Sequence, residues 1–106
     1  MSEYRFYLTT VQTKKDGKQI AEALLKYKAA ACINIIEKVS SMYMWNGKVC
    51  TDDECLLIIK SKVELFEKVK KIVTTLHKYD LPEFIEIPVT NGSSEYLNWI
   101  DESVKI

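Results

Sequence analysis

The feature that most constrains the fold is an Asn-Gly pair between two long runs of strand-forming residues. Asn46 and Gly47 follow a run that starts at Ala31 and precede a run that ends at Lys60. A type I′ turn requires a positive φ at both central residues, and Asn-Gly adopts it readily. A bulge near Asp52–Glu54 would shift the inner pairs of such a hairpin. The predicted hairpin pairs Ser41 with Asp52, Tyr43 with Cys50 and Trp45 with Lys48.

This hairpin is long compared with the rest of the chain. Its second strand, Lys48 to Lys60, spans ~43 Å at ~3.3 Å per residue, whereas a helix from Lys18 to Lys28 spans ~17 Å. The overhanging end carries the large apolar and aromatic residues Met42–Trp45. A two-stranded ribbon that leaves such residues uncovered promotes aggregation. We therefore predict that copies of the chain cover one another's hairpins in a closed, cyclic homo-oligomer.

Hydrophobic periodicity predicts the remaining elements. The first strand is Tyr4–Val11, and its alternation separates Tyr4, Phe6 and Leu8 from Arg5, Tyr7 and Thr9. A helix capped by Asp16 continues to about Lys28, and a longer helix follows a capping box at Ser61–Glu64. The last predicted elements are a strand over Glu83–Thr90 and a short helix that contains Leu97, Ile100 and Val104.

The order of these elements specifies the topology. Strand, helix, strand, strand, helix, strand is the pattern of an α+β, ferredoxin-like βαββαβ plait, here with an extra C-terminal helix. Right-handed crossovers place strands one and three in the centre, strands two and four outside, and both main helices on one face. Pro88 cannot donate a ladder hydrogen bond, which agrees with an edge position for strand four. The 106 residues suffice for one domain, 1–106.

Composition excludes several functional classes. Fifteen basic residues balance fifteen acidic ones, so the chain has no net attraction for nucleic acid or anionic lipid. Apolar runs such as Leu56–Ile59 are far shorter than the ~20 residues that span a bilayer, and Glu3 and Arg5 argue against a secretory leader. We therefore expect a cytoplasmic protein without a nucleic-acid or membrane partner. Three cysteines without C-x-x-C spacing indicate buried thiols rather than a disulfide or a zinc site.

His77, the single histidine, is the main candidate for metal chemistry. No nucleophile, base or paired acid is spaced around it, and the chain has no Gly-rich phosphate loop. We therefore expect neither enzymatic activity nor an organic cofactor. Imidazole together with the nearby carboxylate of Glu83 suits copper or zinc. A histidine at a helix C-terminus also caps the helix carbonyls, and both interpretations stay open.

Aromatic and charged residues of the hairpin and the C-terminal half form a second candidate site. Amphipathic aromatic side chains serve ligand clefts as well as subunit contacts. Glu54 and Lys60 lie in apolar sequence, where a buried charge needs a partner, and we expect them to pair across a subunit boundary. The three consecutive acids Asp52–Glu54 are of a type that a hard cation can use, but we favour the interpretation as a solvated face of the hairpin. The aromatic candidates are Tyr43, Trp45, Tyr79 and Trp99.

Several motifs together resemble the CutA divalent-cation-tolerance family over almost the whole chain. The first motif is AACINII at Ala30–Ile36, and the second is the spaced S-x-Y-x-W-x-G that runs from Ser41 to Gly47. The third is H-x-Y-x-x-P-E, from His77 to Glu83. Further matches are Glu54, Lys60, Pro88 and the YLNWI segment at Tyr96–Ile100.

The resemblance implies a ferredoxin-like homotrimer linked to tolerance of copper and other divalent ions, with no established enzyme activity. It implies a metal site that includes His77 and Glu83. The family usually has proline in place of Glu37 and of Lys78, and some bacterial members have a copper-binding cysteine where this chain has Thr9. The implied inter-subunit cleft contains Asn34, Tyr43, Trp45, Glu54, Lys60, Tyr79 and Trp99.

The alternative prediction is a small-ligand sensor. The plait and the trimer also resemble PII-type signalling proteins, whose clefts hold an anion or a metabolite. Lys60 would supply the positive charge for such a ligand, and the aromatic side chains would line the cleft.

Overall fold

A computed structural model describes residues 3–106 as a four-stranded sheet with three α-helices. A single 3₁₀ turn, Val63–Leu65, connects the third strand to the second helix. The elements in chain order are β1 (Tyr4–Val11), α1 (Lys14–Lys26), β2 (Cys32–Trp45), β3 (Lys48–Lys62), α2 (Phe66–Leu76), β4 (Ile85–Pro88) and α3 (Ser94–Ser103).

The sheet has the topology that the sequence predicts. Its order is β2-β3-β1-β4, and every neighbouring pair is antiparallel. Pro88 lies on the edge strand β4, opposite Arg5. The ferredoxin-like α+β fold with its additional C-terminal helix is therefore confirmed.

One face of the sheet packs against α1 and α2 and forms the core. β1 alternates strictly between buried and half-buried residues, and its buried positions include Tyr7 and Val11. Phe84 and Phe66 extend this core, since the Tyr7 ring stacks on Phe84 with 5.4 Å between ring centroids. The fully buried side chains contributed by the helices and β3 include Ile20, Leu24, Leu57, Ile59, Val69 and Val73.

The opposite face, which we call the open sheet face, is apolar and only partly covered. Directly paired residues of neighbouring strands share a face, so the partner of Leu8 on β3, Ile58, lies on this side with it. α3 covers one end, where the Lys60 ammonium contacts the Tyr96 hydroxyl at 3.4 Å. The apolar residues of the open sheet face are Phe6, Leu8, Ile36, Leu56, Ile58, Ile85 and Ile87, of which Ile36, Ile85 and Ile87 are 43%, 48% and 40% exposed.

The hairpin has the predicted turn and register. Asn46 and Gly47 have φ values of 51° and 76°, as a type I′ turn requires. The three predicted cross-strand pairs next to the turn are present. The bulge lies on β2 between Ile36 and Val39, where Lys38 adopts a φ of 60°, and not within Asp52–Glu54.

The predicted helix caps are wrong at both main helices. The Thr13 side chain caps α1 by accepting a hydrogen bond from the Asp16 amide at 3.1 Å, because the helix starts before Asp16. Ser61 is buried at the end of β3, where its hydroxyl donates to the Ala29 carbonyl at 2.6 Å. α2 starts only at Phe66, after the 3₁₀ turn.

β4 is shorter than the predicted strand. It covers Ile85–Pro88, and its ladder with β1 runs from Leu8 to Arg5. Pro88 ends it because the proline nitrogen has no hydrogen to donate. One further backbone hydrogen bond, from the Val89 amide to the Tyr4 carbonyl, follows at 3.1 Å.

Thr9 offers a test of the packing on the helix side. It is fully buried, and its hydroxyl has no hydrogen-bond partner among residues 3–106. Because an unsatisfied buried hydroxyl costs roughly 1–3 kcal/mol, we expect Thr9→Val to raise the free energy of unfolding by about 1 kcal/mol. Thermal unfolding checks this, with Thr51→Val, an exposed position on β3, as the control that leaves stability nearly unchanged. A lower melting temperature for Thr9→Val would contradict this interpretation.

Within residues 3–106, no helix has the length and apolar character needed to cross a membrane.

Candidate functional site

The candidate site is a cleft at the hairpin end of the open sheet face. It has a volume of about 830 Å³ and lies between the outer part of the hairpin and the loop that follows α2. Aromatic and acidic side chains predominate along its walls. The lining residues are Thr10, Gln12, Tyr43, Trp45, Asp52, Asp53, Glu54, Lys78, Tyr79, Asp80, Leu81 and Glu83.

Two tyrosine hydroxyls hold two of the cleft carboxylates. Tyr79 donates a hydrogen bond to Glu54 Oε2 at 2.6 Å, and Tyr43 donates one to Asp52. The hydrogen bond to Asp52 raises the pKa of Tyr43 to about 12. Burial and then the hydrogen bond to Glu54 raise the pKa of Tyr79 as well. Both phenols therefore stay protonated near neutral pH and act as hydrogen-bond donors that orient the carboxylates.

The cleft carries an excess of negative charge. Its cation, Lys78, forms an ion pair with Asp16 at 3.1 Å. In the part of the chain that the structure describes, no ion pair neutralises any of the five cleft carboxylates. The cleft is therefore suited to a cationic ligand. Those carboxylates belong to Asp52, Asp53, Glu54, Asp80 and Glu83.

His77 lies next to the cleft and does not line it. It is the C-cap residue of α2, as the sequence suggests, and its amide donates to the Val73 carbonyl. Its ring does not bond to the helix carbonyls. Nδ1 accepts a hydrogen bond from the Tyr79 amide at 3.2 Å, and Nε2 lies 2.8 Å from the Thr10 carbonyl. A carbonyl only accepts, so Nε2 carries the proton, and neither ring nitrogen is free to bind a metal in this conformation.

Five of the predicted site residues meet in the cleft, and the others do not. Lys60 lies under α3, where its ammonium is 5.7 Å from the Phe6 ring centroid. Trp99 is on α3 beside Tyr96, and Asn34 is on β2 opposite Ile58. Grouping these three with the cleft would need a second copy of the chain, and it stays a prediction. The residues that meet are Tyr43, Trp45, Glu54, Tyr79 and Glu83.

Sequence reasoning missed three acids of the cleft. From the sequence, Asp52 and Asp53 are interpreted as part of a solvated hairpin face, and Asp80 has no predicted role. The hairpin register could have placed Asp52 in the cleft. Asp52 lies two residues from Glu54 on the same face of β3 and diagonally opposite Tyr43. Asp80 reaches the cleft through the conformation of the loop after α2, which the local sequence does not specify.

The carboxylates of one protomer do not by themselves form a metal centre. No group of three or more His, Cys, Asp or Glu side chains within residues 3–106 is close enough to hold an ion. Thr9, where the resemblance would place a copper-binding cysteine of some bacterial members, is fully buried on the helix side and does not line the cleft. A complete coordination shell therefore requires ligands from water or from another copy.

Comparison with known proteins decides the family. The family model described as "CutA1 divalent ion tolerance protein" matches residues 5–103. The chain belongs to the CutA1 family. The resemblance that the motifs indicate is therefore confirmed.

CutA1 relatives from bacteria and plants are similar to the chain over most of its length. It is 40% identical to the divalent-cation tolerance protein CutA of Thermus thermophilus over 91% of this chain and 93% of that protein. It is 43% identical to the chloroplastic protein CutA of Arabidopsis thaliana over 91% of this chain and 53% of that protein. The chain thus spans about half the length of the plant relatives that it matches.

Solved CutA1 structures have the same fold. The chain matches the Thermus thermophilus protein with a TM-score of 0.91 at 37% identity, covering 96% of this chain and 99% of that one. It matches CutA1 from Oryza sativa with a TM-score of 0.94 at 38% identity, covering 98% and 95% of the two chains.

Proposed function

We propose that this CutA1-family chain is a cytoplasmic, non-enzymatic homotrimer that binds copper and similar divalent cations in clefts between its subunits and acts in the tolerance of, or response to, such ions. The names of its bacterial relatives support a role with divalent cations. The observation that carries the proposal is the cleft itself, which collects five carboxylates without a neutralising ion pair in the described chain.

The open sheet face supports the trimer. It exposes a continuous set of apolar side chains on the side opposite the helices, and apolar surface of this kind marks an interface. The hairpin end adds exposed Met42, Met44, Trp45 and Val49, which are 62–70% exposed. By the strand register, Met42, Met44 and Val49 lie on the opposite face of the hairpin from Trp45. A closed ring of three copies, each with its open sheet face turned inward and its hairpin against a neighbour, buries both surfaces.

The same arrangement accounts for the incomplete metal site. The cleft is at the hairpin end of the open sheet face, so covering that face brings a neighbouring chain to its rim. Side chains of that neighbour then complete a ligand set that Glu54 and Glu83 begin. Oxygen ligands accept many divalent ions, and among first-row ions copper(II) binds a given site most tightly.

An anionic metabolite fits the cleft less well than a divalent cation does. Such a ligand would meet five carboxylates, and the cation expected to attract it, Lys60, contacts Tyr96 and Phe6 outside the cleft. The cleft charge therefore favours the metal interpretation over the small-anion sensor.

Calorimetric titration of copper(II) tests the assignment of the cleft. We expect the double substitution Glu54→Gln and Glu83→Gln to weaken binding at least about tenfold, because each loses a charged ligand. Glu67→Gln, which removes an exposed acid of α2, is the control and retains the wild-type affinity. Equal isotherms for the wild type and the double variant would remove the cleft as the site.

His77→Ala tests the metal role predicted for the histidine. Because both ring nitrogens are hydrogen bonded within the protomer, we expect this variant to keep its copper affinity within about threefold. A loss as large as that of the carboxylate variant would instead mean that the ring leaves the Tyr79 amide and joins Glu83 as a ligand.

A further inference from the structure

The helix side of the molecule carries an unbalanced positive charge. α1 and α2 together contain seven lysines and three acidic residues, whereas the whole chain has equal numbers of basic and acidic residues. The corresponding negative excess lies elsewhere, in part at the cleft of the hairpin end. A chain without net charge therefore has one positive side, which attracts negatively charged partners locally.

A groove of about 620 Å³ runs between α1 and α2 on this side. Half-buried Ala23, Ile72 and Leu76 contribute its apolar surface, and the exposed ring of Tyr27 lies at one edge. Three lysines line it, Lys26 on α1 and Lys68 and Lys71 on α2. The groove is on the side of the sheet opposite the open sheet face, so it does not compete with the proposed contact between copies.

The three lysines have no counter-charge in the described chain. None of them takes part in an ion pair among residues 3–106. Lys26 is exposed, and its ammonium lies 5.6 Å from the Tyr27 ring centroid. The groove thus combines apolar surface with three unpaired cations on two facing walls.

We propose that this groove binds an acidic amphipathic helix of another protein, with apolar side chains of the helix against Ile72 and Leu76 and its carboxylates on Lys26, Lys68 and Lys71. A channel between two parallel walls accepts a third helix that presents apolar residues at i, i+3, i+4 and i+7. Charges on both walls match a helix with acidic residues on both sides of its apolar stripe.

The distribution of the lysines disfavours a single small anion. Lys68 and Lys71 are neighbours on one helix surface, whereas Lys26 is on the other wall, so the charges are spread along the groove. A phosphate-sized ion requires donors that converge on one point. An elongated acidic segment of a partner protein can instead place one carboxylate near each of the three separated lysines.

Fluorescence anisotropy with a labelled synthetic peptide tests the proposal on the full chain. The probe is a helix of about four turns with leucines at i, i+3, i+4 and i+7 and glutamates at the flanking positions. A matched peptide carries glutamine in place of every glutamate. We expect the acidic peptide to bind with micromolar affinity, and the glutamine peptide at least about tenfold more weakly.

Two groove variants and one control locate the binding. We expect Lys68→Glu with Lys71→Glu, and separately Thr75→Trp, to weaken binding of the acidic peptide at least about tenfold, the first by charge and the second by filling the groove. Lys14→Glu with Lys18→Glu makes the same change of net charge on the same side but outside the groove, and it retains binding within about threefold.

Several outcomes would overturn the proposal. No binding of the acidic peptide to the wild-type chain would remove the site. Equal losses for the two charge variants, with Thr75→Trp unaffected, would mean general electrostatic attraction only. Sedimentation with vesicles of phosphatidylcholine and phosphatidylserine is the parallel measurement, and binding to vesicles without binding to the peptide would assign the positive side to a lipid surface.

Discussion

Replacing Ile58 with aspartate is expected to convert the assembly into single chains of 12.3 kDa. Ile58 lies on the open sheet face of the central strand β3, where it pairs with Leu8 of β1 on one side and Asn34 of β2 on the other. If three copies bury this face, the substitution places three carboxylates in a closed apolar interface. Like charges there cost several kcal/mol, and ~4 kcal/mol corresponds to a thousandfold weaker association.

The control for this substitution is Leu25→Asp. Leu25 is 49% exposed on α1, so the change removes a similar apolar side chain and adds the same charge on the helix side. Light scattering coupled to size exclusion measures the mass, and far-ultraviolet circular dichroism verifies that each variant is folded. We expect Leu25→Asp to keep the wild-type mass. An Ile58→Asp protein of unchanged mass would show that the open sheet face is not the contact.

Replacing Asp101 with asparagine is expected to lower the free energy of unfolding by about 2–3 kcal/mol. Lys62 is 8% exposed at the end of β3, and its ammonium lies 2.5 Å from Asp101 Oδ1 on α3. The Tyr4 hydroxyl donates to the other carboxylate oxygen at 2.6 Å. Removing the carboxylate charge leaves the buried ammonium with Glu3, at 3.6 Å, as its remaining ion-pair partner. Denaturant unfolding measures the loss.

The same network predicts an acid dependence of stability. Hydrogen bonds from Lys62 and then Tyr4 lower the pKa of Asp101 below its usual 3.8. A carboxyl with a lowered pKa in the folded state contributes stability that is fully present above the unfolded value. That contribution is lost as the pH falls through the lowered pKa. We therefore expect the difference in stability between the wild type and Asp101→Asn to shrink below about pH 4.

Glu102→Gln is the matched control, since Glu102 is the next residue of α3 and is exposed. It makes the same change of charge without touching Lys62, and we expect it to alter the free energy of unfolding by less than about 0.5 kcal/mol. Equal losses for the two variants, or a difference that does not depend on pH, would contradict the role assigned to the Lys62–Asp101 pair.

Elements whose geometry depends on residues adjacent in the sequence could be predicted from the sequence. The Asn46-Gly47 turn determines the register of the hairpin, because the two residues with positive φ also set which strand residues face each other. The helix caps could not be predicted in this way. Thr13 and Asp16 are both good cap residues, and the partner of Ser61 is a carbonyl 32 residues away. Distant partners of this kind are not visible in a local pattern.

In the candidate site too, features set by the local sequence could be predicted, and features set by residues distant in the chain could not. Tyr43 and Trp45 on β2 and Glu54 on β3 come together because the hairpin register puts them on the same face of the hairpin. The environment of His77 could not be predicted, since its ring bonds to the carbonyl of Thr10, 67 residues away on β1. Asp80 and Glu83 reach the cleft only because the loop after α2 lies against the hairpin.

The most direct test of the account is the mass of the unmodified protein in solution. Sedimentation equilibrium at micromolar concentration, without added metal, should give three times the 12.3 kDa of one chain. The open sheet face and the overhanging hairpin would then be covered as proposed, and the clefts would be shared between subunits. A stable, folded species of 12.3 kDa would contradict the account, since every ligand assigned to a shared cleft depends on that assembly.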